Sequence, residues 1–255
     1  MLLNFRKVGS GDPIFILHGV FGSADNWQSV GREWADSFTV YLIDQRNHGQ
    51  SPHSEDFDYD VMAEDIEELR KHEDLKKIFI LGHSMGGKTA MKYAIKYPEH
   101  VEKLVVVDIA PRYYEPHHQQ IFEGFHSVDL DSLSSRKDAD RQMSKAIGSL
   151  MIRQFLLKNL ARENGKNFAW KHNLPVIEKK IENIGRGLEE NEKYEGRTLF
   201  VGGSKSDYIT ESDHDQIKHH FPNVEIKMVE NAGHWVHAEQ PQVLTEIVTD
   251  YLKNG

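Results

Sequence analysis

Ile78-Phe79-Ile80-Leu81-Gly82-His83-Ser84-Met85-Gly86 is the stretch on which the reading of this chain turns. Four consecutive apolar residues, the pattern of a strand buried on both faces, lead into a serine bracketed by glycines and then into a helical pattern. A strand that turns so abruptly into a helix holds its apex residue in strained backbone, and side chains at Gly82 or Gly86 would collide across the turn. The pattern G-x-S-x-G here is therefore a nucleophile elbow, which lifts Ser84 toward solvent or substrate.

On both sides of the elbow, short apolar runs alternate with helical patterns, at residues 13–17, 39–43, 77–81, 104–107, 198–201 and 224–229. This alternation predicts an α/β fold with a mostly parallel central sheet flanked by helices. A helix over about 60–71 places Met62, Ile66 and Leu69 on one face. The helix after the elbow does the same with Ala90, Ala94 and Tyr97 before Pro98 stops it, and a closing helix presents Leu244, Ile247, Val248 and Tyr251. Between the fourth and fifth of the strands named, residues 111–194 have helical patterns and no strand pattern. They predict a helical cap inserted into a core made of 1–110 and 195–255. Within the insertion Ile152, Phe155, Leu156 and Leu160 share one helical face; Leu174, Ile177, Ile181 and Ile184 share another, ended by Gly185.

Composition narrows the chemistry further. A chain of 255 residues is long enough for one large α/β domain with an insertion. With no cysteine, disulfides, thiolate metal sites and a cysteine nucleophile are excluded. A formal net charge of -9 argues against nucleic acid as a partner, because backbone binding needs clustered cations. Residues 1–7 lack the apolar region of a signal peptide, and no apolar run approaches the roughly 20 residues that cross a bilayer. The expectation is a cytoplasmic protein without membrane partners.

A serine hydroxyl is a poor nucleophile at neutral pH, so Ser84 needs a histidine base, an acid to orient it and donors for an oxyanion. Among 15 histidines, His234 has the right setting, in Asn231-Ala232-Gly233-His234-Trp235, on the loop after the 224–229 strand and near the chain's end. For the oxyanion, Leu17-His18-Gly19-Val20-Phe21-Gly22 follows the first core strand, where a glycine-rich loop can aim N–H groups at the sheet's carboxyl edge. The backbone amides of Val20 and Met85 are the candidate donors.

Strand, elbow, His-Gly loop and terminal Gly-His together resemble the α/β-hydrolase superfamily over essentially the whole chain. Asp44-Gln45-Arg46-Asn47-His48-Gly49-Gln50-Ser51 is similar to that family's D-x-R-x-x-G-x-S turn, in which the aspartate is structural. The segments Ser135-Arg136-Lys137-Asp138-Ala139-Asp140, Arg153-Gln154-Phe155-Leu156-Leu157-Lys158-Asn159-Leu160 and Gly233-His234-Trp235-Val236-His237-Ala238-Glu239 resemble its small bacterial carboxylesterases. The resemblance implies hydrolysis of small-molecule carboxylic esters through an acyl-serine intermediate, without a cofactor. Haloalkane dehalogenases and epoxide hydrolases of this fold carry aspartate at the elbow, so Ser84 argues against both.

The acid departs from the commonest family pattern, in which an aspartate follows the strand before the histidine strand within G-x-x-D-x-x-V-P. Here the stretch reads Gly203-Ser204-Lys205-Ser206-Asp207-Tyr208-Ile209-Thr210, with Ser206 at the acid position and Asp207 one residue beyond. The competing candidate, Asp108, ends the apolar run 104–107. A carboxylate there would be partly desolvated, a cost that a forming imidazolium would offset. The similar carboxylesterases place their acid at that strand end, so Asp108 is favoured over Asp207, with Ser84 and His234 completing the catalytic set.

Other features carry less. The pairs His117-His118 and His219-His220, with His214 nearby, do not suggest a metal site, because adjacent residues rarely aim two imidazoles at one ion. His18 and His83 read as packing beside the active loops, and the helix bearing Glu64, Asp65, Glu67 and Glu68 as a solvated face. Tyr113, Tyr114, Phe122 and Phe125 suit an acyl pocket or the core equally. Enzyme alternatives on the same triad are thioesterases, aminopeptidases and carbon–carbon hydrolases; a non-catalytic small-molecule receptor is the alternative outside enzymes.

Overall fold

The computed structural model describes residues 1–163 and 167–254. Nine strands are present among them: β1 (Phe5–Gly9), β2 (Asp12–Leu17), β3 (Phe38–Ile43), β4 (Ile78–His83), β5 (Val101–Val107), β6 (Leu160–Glu163), β7 (Asn167–Trp170), β8 (Thr198–Gly203) and β9 (Val224–Val229). Seven form one sheet in the order β1-β3-β2-β4-β5-β8-β9. β1 pairs antiparallel with β3 and every other neighbour is parallel. The register sets Leu17 beside Gly82, His83 beside Val107 and Val107 beside Val201. The carboxyl ends of β2, β4, β5 and β8 thus lie along one edge, where ligands of open α/β sheets bind.

Helices α1 (Gln28–Trp34), α2 (Tyr59–His72), α3 (Met85–Lys96), α4 (Gln119–His126), α5 (Arg136–Met143), α6 (Leu150–Leu157), α7 (Leu174–Lys179), α8 (Ile181–Gly185), α9 (His214–His220), α10 (Val236–Glu239) and α11 (Pro241–Lys253) complete the chain. Successive strand residues face opposite sides of a sheet, and the apolar runs supply both. Phe15, Leu17, Tyr41 and Ile43 pack with Ala63, Ile66 and Leu69 of α2 and with Ala90 and Met91 of α3. Ile14, Ile16, Val40 and Leu42 pack with Val30 and Trp34 of α1 and with Leu244 and Val248 of α11. Each fully buried Val, Leu, Ile, Phe or Met among them stabilises the fold by about 1.5–3 kcal/mol relative to exposure. Lys103, buried within β5, donates to the carbonyls of Tyr251 and Leu252, both at 2.9 Å, and so tethers the end of α11.

The sequence pattern missed β1, a short edge strand carrying Arg6 and Lys7 whose neighbour on one side only leaves it little apolar signal. It also misread part of the insertion. Leu160 does not continue α6 but begins β6, which pairs antiparallel with β7, and the apolar positions 174–184 are split between α7 and α8. A two-stranded ribbon of four-residue strands is too short for period-two alternation to stand out. The acidic face of α2 is only partly solvated. Asp65 is clamped by two Arg46 hydrogen bonds at 2.6 and 2.9 Å, and Glu67 by two from Arg70, both at 2.8 Å. Both carboxylates are buried, which their guanidinium partners make tolerable.

The segment between β5 and β8 packs onto the sheet's carboxyl edge through a third apolar cluster. It joins Phe122 and Phe125 of α4, Leu156 of α6 and Ile177 of α7 to Phe21, Met62 and Met85. Phe122 and Phe125 are therefore core residues, whereas Tyr113 is exposed. Lys88 of α3 joins the chain that follows β5 to the end of α8, its buried ammonium donating to the carbonyls of Arg112 (2.7 Å), Gly185 (3.2 Å) and Arg186 (2.5 Å). Among the described residues no helix is long and apolar enough to cross a membrane.

Candidate active site

Ser84 sits between the end of β4 and the first turn of α3 with φ 54° and ψ -120°. This sparsely populated conformation is held by Ser84 N–H on the Val107 carbonyl (3.0 Å) and Lys88 N–H on the Ser84 carbonyl (3.1 Å). The glycines are obligatory for reasons of space. A Cβ on Gly82 would lie 1.9 Å from the Gly86 oxygen, and one on Gly86 would lie 2.4 Å from the Leu17 oxygen. The second contact shows that Gly86 makes room for the β2 loop rather than for the elbow alone.

That loop passes directly over the elbow. Phe21 takes φ +60°, its N–H donates to His48 Nε2 at 3.2 Å, and its carbonyl accepts from Asn159 Nδ2 of the insertion at 2.7 Å. His18 accepts the Gln45 N–H on Nε2 (3.1 Å) and donates from Nδ1 to the Gly19 carbonyl (2.8 Å). Burial pushes the pKa values of His18 and His48 down, so both act as neutral struts. Behind them Asp44 accepts from Ala24 N–H, Gln50 N–H and Asn4 Nδ2 at 2.8–3.0 Å. The D-x-R-x-x-G-x-S turn is therefore a scaffold for the loop. Neither Val20 N–H nor Met85 N–H has a hydrogen-bond partner among the described residues. Met85 opens α3, where unsatisfied amides and the helix dipole favour negative charge.

Asp108 follows β5 with φ +50° and is fully buried. One carboxylate oxygen accepts the Gly203 N–H at 2.8 Å; the other accepts Ser206 Oγ–H at 2.5 Å and His234 Nδ1–H at 2.8 Å. A carboxylate partner on Nδ1 leaves Nε2 of His234 as the unprotonated nitrogen. Asp207 is exposed, and its contact to this region is a backbone carbonyl that accepts from Arg112 at 3.1 Å. The serine at the commonest family acid position thus hydrogen-bonds the aspartate from the other strand.

The His234 loop is fixed at both ends. A Cβ on Gly203 would lie 2.3 Å from the Gly233 oxygen, so β8 and the loop approach at backbone distance. Glu239 accepts the N–H groups of Gly233 (2.9 Å) and Trp235 (3.3 Å). His83 donates from Nε2 to the His234 carbonyl at 2.8 Å, and its pKa is held well below the ordinary value by burial and by the neighbouring imidazoles of His234 and His237. Tyr208 stacks on the His234 ring with centroids 3.9 Å apart, its phenol pushed up to about 12, chiefly by burial. Ser206, Tyr208 and Glu239 were not assigned roles from sequence. Ser206 stood at a recognisable position and Glu239 in a recognisable motif, whereas nothing local marks Tyr208.

Ser84 and His234 face one cavity of about 330 Å³, walled by Val20, Trp27, Ile121, Ile152, Phe155 and Trp235 among others. No hydrogen bond joins Ser84 Oγ to His234 Nε2 among the described residues; such contacts commonly tighten only in the substrate complex. His117 and His118 stack on each other at the cavity wall, 4.9 Å between centroids. Among the described residues no three His, Cys, Asp or Glu side chains are grouped to hold a metal ion. A buried-aspartate, imidazole and strained-serine arrangement beside two free amides is chemically equipped for acyl transfer.

Residues 12–241 match a protein-family profile described as alpha/beta hydrolase fold. The chain is 39% identical over 247 residues to the sn-1-specific diacylglycerol lipase ABHD11 of Mus musculus, covering 94% of this chain and 80% of that protein. It is 32% identical over 243 residues to esterase YbfF of Escherichia coli (strain K12), covering 95% and 93%. Among solved structures, one named a marine microorganism esterase superposes with TM-score 0.95 at 43% identity, over 98% of this chain and 99% of the other.

Proposed function

This chain belongs to the α/β-hydrolase family and is an ester hydrolase, and we propose that it is a carboxylesterase that cleaves small-molecule esters of short to medium acyl chains through an acyl-serine intermediate. The observation that carries this reading is the 2.8 Å bond from His234 Nδ1–H to buried Asp108, with the imidazole and Ser84 on the wall of one cavity. In this reading 1–110 and 195–255 form the core, and 111–194 form a cap that walls the substrate site.

Chemistry begins with His234 Nε2 taking the Ser84 Oγ proton as the oxygen attacks the ester carbonyl carbon. Asp108 holds the imidazole in the required tautomer and faces the imidazolium charge. The tetrahedral oxyanion accepts from Val20 and Met85 N–H, where each lost donor costs about 3 kcal/mol in comparable sites. On collapse the carbon–oxygen bond to the alcohol breaks and the alcohol leaves with the proton from Nε2. Water then gives a proton to Nε2, attacks the acyl-serine, and the second collapse returns Ser84 and releases the carboxylic acid.

A receptor built on this fold needs no nucleophile, whereas here serine, imidazole, carboxylate and free amides are all retained. The test is stoichiometric labelling by a fluorophosphonate together with hydrolysis of p-nitrophenyl acetate. Both are expected in the native protein and both are lost in Ser84→Ala. A folded, unlabelled native protein would exclude the serine mechanism.

A further inference from the structure

Two cavities meet at Ser84, and they differ in which chemical groups they contain. Ser84, Val20, His118 and Tyr208 border both. His234 and Trp235 border only the larger, of about 330 Å³; Tyr59, Met85, Ile109 and Ile184 border only the smaller, of about 30 Å³. In ester cleavage the two halves of the substrate part at the carbon attached to Ser84, and the departing alkoxide must meet a proton on His234. Nδ1 is committed to Asp108 at 2.8 Å, so that proton comes from Nε2. The alcohol half therefore lies on the side that contains the imidazole, and the acyl half lies opposite.

Resting on the esterase reading above, we infer that the large cavity is the alcohol site and the small one the acyl site, so that the preferred substrates are acetate or propionate esters of bulky apolar alcohols. A single water needs about 10–15 Å³ on a comparable measure, so the smaller space takes about two heavy atoms beyond the carbonyl. Its far wall resists expansion. Ile184 is buried, and its carbonyl accepts the Tyr59 hydroxyl at 2.7 Å, which ties the end of the insertion to the start of α2. The alcohol side is broad and aromatic, with Trp27, Phe155 and Trp235 on its walls. An apolar alcohol is held there by burial of its own surface.

Two ester series test the assignment: p-nitrophenyl esters from acetyl to decanoyl, and acetates of alcohols from methyl to naphthyl. In the native protein kcat/KM falls by about tenfold or more between propionyl and hexanoyl, the scale on which a pocket rejects an added methylene, and rises with alcohol size. Ile184→Ala raises the hexanoyl-to-acetyl ratio by about tenfold and leaves the ranking of the acetates in place. Ile152→Trp, in the larger cavity, reverses the preference for naphthyl over methyl acetate and leaves the acyl ranking in place. Ile181→Ala, at the same wall as Ile184, serves if Ile184→Ala does not fold. Fluorophosphonate titration counts active sites throughout. A labelled, active protein that prefers decanoyl to acetyl esters, or whose two variants exchange effects, overturns the partition alone. A protein that neither labels nor hydrolyses any ester overturns the esterase reading instead.

Discussion

Asp108→Asn keeps the shape of the side chain and removes its charge and one acceptor. In the native protein Gly203 N–H occupies one carboxylate oxygen at 2.8 Å, and Ser206 Oγ–H and His234 Nδ1–H share the other at 2.5 and 2.8 Å. An asparagine can satisfy Gly203 only by turning its NH2 toward Ser206 and His234. That donor makes Nδ1 an acceptor and moves the imidazole proton to Nε2, the nitrogen that must accept from Ser84. The opposite orientation sets NH2 against the Gly203 N–H. That orientation keeps an acceptor on Nδ1–H but buries two donors against each other, so the first is favoured; the base is then lost, and kcat is expected to fall by about 10^4-fold, equivalent to about 5.4 kcal/mol of transition-state stabilisation. KM should change little, because Asp108 is fully buried beneath the imidazole. The assay is kcat for p-nitrophenyl acetate with thermal unfolding as a folding control. Adding Ser206→Asp to this variant sets a carboxylate within reach of the same imidazole and is expected to restore about tenfold or more of the loss. Asp207→Asn, at an exposed side chain, should stay near the native rate. An Asp108→Asn protein above one-tenth of native kcat, paired with a crippled Asp207→Asn, would refute the argument.

Three further expectations concern the scaffold. Gly82→Ala forces a Cβ to 1.9 Å from the Gly86 oxygen, and since both partners are backbone in a fixed turn, stability should drop by about 3 kcal/mol or more, read as a lower Tm or loss of soluble protein. Burial pushes His172 and His237 down to about 3 and His118 to about 4, so the unfolded chain binds more protons below its ordinary value near 6.5. Stability is therefore complete above that pH and declines as pH falls, by on the order of 2 kcal/mol per histidine at pH 5. A Tm independent of pH between 8 and 5 would contradict this sign. Lys88→Met leaves the Arg112 and Arg186 carbonyls without their buried donor, at a cost of about 2–5 kcal/mol. Faster proteolysis near Arg112 and Arg186 is the expected signature.

Local sterics and periodicity made much of this protein legible in one dimension. Gly82 and Gly86 announce the elbow because only glycine clears the backbone there, and the apolar runs of β2, β4 and β5 announce a sheet buried on both faces. Where the signal is short or polar it fails. β1 bears charges at an exposed edge, β6 and β7 have four residues each, and Asp65 and Glu67 look solvated until Arg46 and Arg70 are seen folded onto them.

The order of residues alone determined the elbow, the sheet, the candidate base His234 and the pair of candidate aspartates. Only the tertiary structure decided which carboxylate meets the imidazole. That choice depends on the φ of +50° at Asp108 after β5, and on Gly203 letting the Gly233 carbonyl approach and the Ser206 hydroxyl, both at the end of β8. Hydrogen bonds act over about 3 Å, whereas Asp108 and His234 are 126 positions apart in the chain, so their meeting is a property of the packed sheet.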